Sequence, residues 1–281
     1  MGGELREFLH RGFLDSGGRS AVVAARRDQR CSYCLYVGRT PRRRNLLAYC
    51  HGHHRRHYYL LNALRQLADA CGYVVLCPLF PGNLLRDGNL DGYKYLREEG
   101  VNYDEIFMDI VDEVREAINF EETRILLGGF SGGGQFAHRF AYLHPDFIQA
   151  LSIAAPGTVT LPDPTIPWWA GLGAAENVFG LEIDADRLKA IDIQLVVGAA
   201  DDDAEDARFS PSSRYWLPEA SLTGSTRVER LQALHQALEA RGVAARLDVV
   251  PGAGHHFASL LPVIEDFFRR YAVHSLNAAP S

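Results

Sequence analysis

The sequence predicts an α/β fold, with a mostly parallel central sheet, helices on both faces and a small lid. Three observations predict it. Apolar runs of strand length alternate with segments whose apolar residues recur every three or four positions. A glycine-rich turn around Ser131 stands where one such run ends and a helical pattern begins. The residues able to carry chemistry, His51, Ser131, Asp201 and His255, each follow a strand-like run. In an open parallel sheet that is where a ligand site lies.

Taken in chain order, residues 4–10 read as a short helix, and strands follow at 20–25, 31–38 and 45–52. The stretch 38–45, GRTPRRRN, has turn punctuation, and its arginines read as a solvated loop. Leu60, Leu61, Leu64, Leu67 and Ala68 make one helix face, and GYVVLCPLF at 72–80 is a buried strand. Ile106, Phe107, Ile110, Val111 and Val114 make a second helix. RILLGGF at 124–130 is a strand leading into a helix over 132–143. Strands follow at 147–157 and 192–201, then a helix through Val228, Leu231, Leu234 and Leu238. The last strand and loop are ARLDVVPGAGHH at 245–256, and a final helix carries Leu260, Leu261, Ile264, Phe267 and Phe268. The reading is one domain over 1–281 that ends in a polar tail, NAAPS. It carries a lid-like insertion at 156–186 and a second active-site loop at 81–105.

Composition narrows the function. The formal net charge is -6, so the surface as a whole makes no case for nucleic acid. No basic leader precedes an apolar core at the start, and no apolar run nears the ~20 residues of a membrane helix. A soluble, cytoplasmic protein is expected. The five cysteines are odd in number, and the Cys31–Cys34 pair sits in a strand-like run with no second pair at zinc spacing, so free thiols are expected. Oligomeric state is left open.

Gly129-Phe130-Ser131-Gly132-Gly133 matches G-x-S-x-G in the strand-to-helix setting that gives the motif meaning. A nucleophile at the tip of so tight a turn needs small neighbours, and the following helix aims its amides and positive dipole end at the reaction centre. The Gly132 N–H is thus one oxyanion donor. A serine needs a base and an orienting acid, in the chain order Ser, acid, His. Asp201, Asp202 and Asp203 follow one later strand, and His255 and His256 follow the next. Asp201, nearest its strand end, and His255, directly after Gly254, are the first choices, with Asp163 an outside candidate for the acid. The His51-Gly52 turn offers the His53 N–H as second oxyanion donor. The histidines at 51, 53, 54 and 57 lack carboxylates at ligand spacing, so neither metal nor cofactor is expected.

With these segments in view, HGHHRRHYY, GGFSGGGQFAHRFAYLHPD, LVVGAADDD and PGAGHHF, the chain resembles an α/β-hydrolase over roughly residues 20–272. Within that superfamily it is similar to bacterial esterases and polyhydroxybutyrate-depolymerase-like hydrolases. The resemblance implies the fold, Ser131 as nucleophile, His255 as general base, Asp201 as acid, and His53 and Gly132 at the oxyanion positions. It implies no particular substrate.

The expected reaction is hydrolysis of a carboxylic ester or lactone of a small, hydrophobic molecule through an acyl-enzyme. Amide or carbon–carbon cleavage on the same scaffold, or a non-catalytic binding module, are the alternatives. Arg55 and Arg56 in the oxyanion loop are candidates to meet a substrate carboxylate or carbonyl, with structural pairing the alternative reading. Trp168 and Trp169 in the 156–186 insertion, with Tyr215 and Trp216, are expected to wall an apolar pocket.

Overall fold

The computed structural model describes residues 14–39, 45–118, 120, 122–204 and 210–272. The helix expected at 4–10, most of the arginine-rich turn and the polar tail lie outside the described residues. Ten strands are present among the described residues: β1 (Val23–Ala24), β2 (Ser32–Val37), β3 (Leu46–Cys50), β4 (Val74–Leu79), β5 (Arg97–Glu98), β6 (Val101–Asn102), β7 (Ile125–Phe130), β8 (Ile148–Ala154), β9 (Asp192–Gly198) and β10 (Ala245–Val250). Eight form one sheet in the order β1-β2-β4-β3-β7-β8-β9-β10, and β5 and β6 make a separate hairpin. From β4 to β10 every pairing in the large sheet is parallel. Only β2 runs against its neighbours β1 and β4. This is the α/β-hydrolase fold that the sequence predicts.

The central strands are apolar on both faces because both faces are covered. Every residue of β3 is buried, as are all but the last of β4 and β7. The long predicted helix near Leu60 is two short ones, α1 (His57–Ala63) and α2 (Arg65–Cys71), which meet at Leu64. Then come α3 (Tyr103–Ile118), α4 (Gly132–Leu143), α5 (Ala175–Phe179), α6 (Arg227–Ala240) and α7 (Phe257–Arg269). Helix α6 opens on a capping box, with Thr226 accepting from the Glu229 N–H and Glu229 reaching back to the Thr226 N–H. The strand expected at 20–25 shrinks to two residues, and Arg19 and Ser20 make isolated bridges to Tyr36 and Leu14.

Register sets where the site must be. Cys50 pairs with Gly129, Phe130 with Ala154, Ala154 with Val196 and Gly198 with Val250. The chains leaving β3, β7, β8, β9 and β10 therefore emerge along one edge of the sheet. That edge receives the segments beginning at His51, Ser131, Ala155, Ala199 and Pro251.

The two long loops are ordered. Asn89 donates to Glu98 Oε1 at 2.6 Å and Tyr103 donates to Glu98 Oε2 at 2.7 Å, which closes 81–105 around the hairpin. The 156–186 segment folds on itself through Leu161 N–H to Ala170 O and Leu172 N–H to Asp163 O.

Candidate active site

Ser131 follows β7 and caps α4 at φ 56° and ψ -116°, a backbone conformation that L-residues rarely hold. Two of its glycines are forced by contact. A side-chain carbon at Gly129 would lie 2.1 Å from the Gly133 carbonyl oxygen, and one at Gly133 would lie 2.0 Å from the Cys50 oxygen. The strand, turn and helix can be this close only without side chains there. The Ser131 N–H donates to the Ala154 carbonyl at 2.8 Å, which ties the turn to the end of β8.

The structure brings Ser131, His255 and Asp201 into one hydrogen-bonded row. His255 Nε2 lies 3.1 Å from Ser131 Oγ, and His255 Nδ1 lies 2.7 Å from Asp201 Oδ2. The loops after β9 and β10 are joined by Ala199 N–H to Val250 O and Ala200 N–H to Ala253 O, both 2.8 Å, so Asp201 and His255 meet. The Phe130 ring stacks on the imidazole with centroids 4.8 Å apart. His256 is exposed and takes the N-cap of α7. Asp202 and Asp203 are exposed, and Asp163 closes its own turn by accepting from Thr165 N–H and Oγ1.

Sequence reasoning did not find the second partner of Asp201. Arg227, the first residue of α6, donates to Asp201 Oδ1 at 2.9 Å. Burial pushes the Asp201 carboxyl up, but the His255 hydrogen bond and the charges of His255 and Arg227 outweigh it and hold the carboxyl below its usual range. No local spacing marks Arg227; only its place in the first turn of a capped helix is visible.

The loop after β3, expected to offer the second oxyanion donor, is held from behind. Buried His51 donates from Nδ1 to the Gly52 carbonyl at 2.9 Å and accepts the Phe80 N–H on Nε2 at 3.0 Å. Burial pushes its pKa down to about 3, so the imidazole is neutral and keeps this tautomer. Arg55 N–H also donates to the Gly52 oxygen, at 3.0 Å. A trans peptide sets C=O and N–H in opposite directions. With the Gly52 oxygen clamped, the His53 N–H is turned the other way. A side-chain carbon at Gly52 would lie 3.2 Å from Ser131 Cβ, so this loop borders the serine directly.

The remaining expected residues sit as follows. The Arg55 guanidinium donates to the carbonyls of His53, Phe80 and Leu90, bracing the loop. Trp169 is buried in a satellite cluster with Tyr95 and Ala170 and donates from Nε1 to the Tyr215 carbonyl at 2.6 Å. Tyr215 stacks on Tyr95 with centroids 3.9 Å apart. Trp168 packs edge-on against Phe179, and Trp216 is 41% exposed. Lys94, unmarked in the sequence reading, is nearly buried beside Gly132 and pairs with Asp91 at 2.6 Å. Among the described residues, no group of three or more His, Cys, Asp or Glu could hold a metal ion, and no helix is long and apolar enough to cross a membrane.

Solved structures share this architecture. A poly(3-hydroxybutyrate) depolymerase from Bordetella parapertussis is 20% identical with a TM-score of 0.73, covering 97% of this chain and 95% of that one. Poly(aspartic acid) hydrolase-1 from Sphingomonas sp. KT-1 is 22% identical with a TM-score of 0.67, covering 84% of this chain and 92% of that one. An S-formylglutathione hydrolase from Agrobacterium tumefaciens is 16% identical with a TM-score of 0.59, covering 92% and 96%. No protein-family model and no curated protein sequence matches the chain. At these identities the likeness is one of fold.

Proposed function

We propose that the chain is a serine hydrolase that cleaves a carboxylic ester or lactone of a small molecule through an acyl-enzyme. Ser131 Oγ attacks the carbonyl while His255 Nε2 takes its proton. Asp201 holds the imidazole with Nδ1–H toward the carboxylate and stabilises the imidazolium that forms. The Gly132 and His53 amides donate to the oxyanion. His255 then gives the proton to the leaving alkoxide. In the second half it takes a proton from the water that attacks the acyl carbonyl, and returns it to Ser131 Oγ as the acyl–serine bond breaks.

The observation that carries this reading is the row from Asp201 through His255 to Ser131, at 2.7 and 3.1 Å, ending on a serine in a strained turn. A binding module has no use for that strain, which costs about 1–3 kcal/mol. The hydrolases among the similar structures support the same reading. Five free, buried cysteines suit a reducing compartment, which supports the expectation of a cytoplasmic protein.

A screen of esters, lactones and amides with wild type and Ser131→Ala tests the proposal. Turnover of at least one ester or lactone is expected, with a loss of ~10⁴-fold or more in the variant. Hydrolysis by well-folded Ser131→Ala at the wild-type rate would refute it.

A further inference from the structure

Gln135 lies in the first turn of α4, and its N–H donates to the Ser131 carbonyl at 3.1 Å. It is 5% exposed. Its Oε1 accepts from Thr158 Oγ1 at 2.6 Å and from Arg139 Nη1 at 3.4 Å. Thr158 Oγ1 itself accepts from Arg139 Nη2 at 2.9 Å, so its hydrogen goes to Gln135. These donors fix how the amide is turned, and Nε2 faces the opposite way. There it meets Gly157, where a side-chain carbon would lie 2.9 Å from Nε2. Gly157 is only partly buried and lies in the chain leaving β8, whose Ala154 carbonyl holds the Ser131 N–H. Among the described residues no acceptor takes a Gln135 Nε2 hydrogen. A nearly buried amide thus presents two unused donors to the loop that leaves β8, on the sheet edge that also carries the candidate nucleophile.

Behind it stands Arg139, fully buried. Its guanidinium donates to Thr160 Oγ1, Thr158 Oγ1, Gln135 Oε1 and the Lys94 carbonyl, and lies against the rings of Tyr95 and Trp169. None of these partners carries a negative charge. A buried cation without a counter-ion is costly. Two of its hydrogen bonds converge on Gln135, one directly and one through Thr158, and along the second each bond polarises the next. The positive end of this relay is Gln135 Nε2.

We propose that Gln135 determines specificity at the candidate active site, its amide binding a substrate carboxylate a few bonds from the scissile carbonyl, with Arg139 supplying the charge behind it. The inference rests on the hydrolase reading for the word substrate, but its test reads binding and not turnover.

The test uses Ser131→Ala protein and calorimetry. Monomethyl succinate carries the carboxylate on the acyl side, and acetoxyacetate carries it on the alcohol side. Methyl pentanoate and propyl acetate are their uncharged counterparts. At least one charged ester should bind about 10-fold or more tightly than its counterpart, the scale of a hydrogen bond to a charged group. Gln135→Glu still accepts from Thr158 and Arg139 but adds negative charge, and should erase or reverse the preference. Gly157→Ala puts a methyl group against Nε2, from which the amide must withdraw, and should weaken the preference. No preference for either charged ester, or a preference that survives Gln135→Glu, overturns the inference. A preserved preference in a protein that hydrolyses no ester would fault the hydrolase reading alone.

Discussion

Asp201 receives His255 on one carboxylate oxygen and Arg227 on the other, so its orientation is fixed from two sides. Asp201→Asn keeps the shape but turns an amide toward Nδ1, which favours the wrong imidazole tautomer; kcat should fall by about 10⁴. Arg227→Leu leaves the carboxylate its histidine and should cost less. Asp163→Asn should change kcat little, because that carboxylate only closes a turn on Thr165. His255→Ala should abolish turnover, whereas His256→Ala, at an exposed helix cap, should not. Steady-state kinetics on the four single-site variants at 201, 163, 255 and 256 check the assignment, and a damaging Asp163 or His256 change would contradict it. Ser131, Asp201 and His255 are legible in the sequence because each follows a strand and the order is fixed by the architecture. Gln135, Arg139 and Lys94 are not. Polar residues in a helical pattern read as a solvated face, and nothing in the sequence says that α4 is covered on all sides.

At the scale of elements, α4 emerges with the bounds the sequence predicts, because the glycine turn starts it and His144-Pro145 stops it. The β5–β6 hairpin is not legible: strands of two residues are too short to show alternation. The same limit hides how the 81–105 loop, the 156–186 insertion and Tyr215 interlock around Tyr95 and Trp169. That cluster separates the tryptophans into two kinds. Trp169→Ala removes a buried anchor and should cost about 3–5 kcal/mol, read as a lower denaturation midpoint. Trp216→Ala should change stability by about 0.5 kcal/mol or less. Its effect belongs in KM if the exposed ring meets substrate. Equal stability losses at the two positions would contradict the separation.

For the whole molecule, pH acts through histidines that the fold keeps neutral. Burial pushes His51 and His138 each down to about 3, against an ordinary value of 6.5. Between those values the unfolded chain binds protons that the folded chain refuses. Stability should therefore fall as pH drops below about 6.5, by about 1.4 kcal/mol per pH unit for each histidine. Denaturant midpoints from pH 7 to 4 check this, and His138→Gln should reduce the slope; a flat profile would contradict it. The depressed Asp201 and Asp104 carboxyls add a further loss only at lower pH, as each is protonated. The proposed activity requires that the sheet edge present Ser131 as an activated nucleophile. The most direct measurement is mass spectrometry of the protein after reaction with a fluorophosphonate. A single adduct on the peptide carrying Ser131, formed far more slowly in His255→Ala, is the predicted result. An unlabelled Ser131 in folded wild-type protein, or equal labelling without His255, would contradict it.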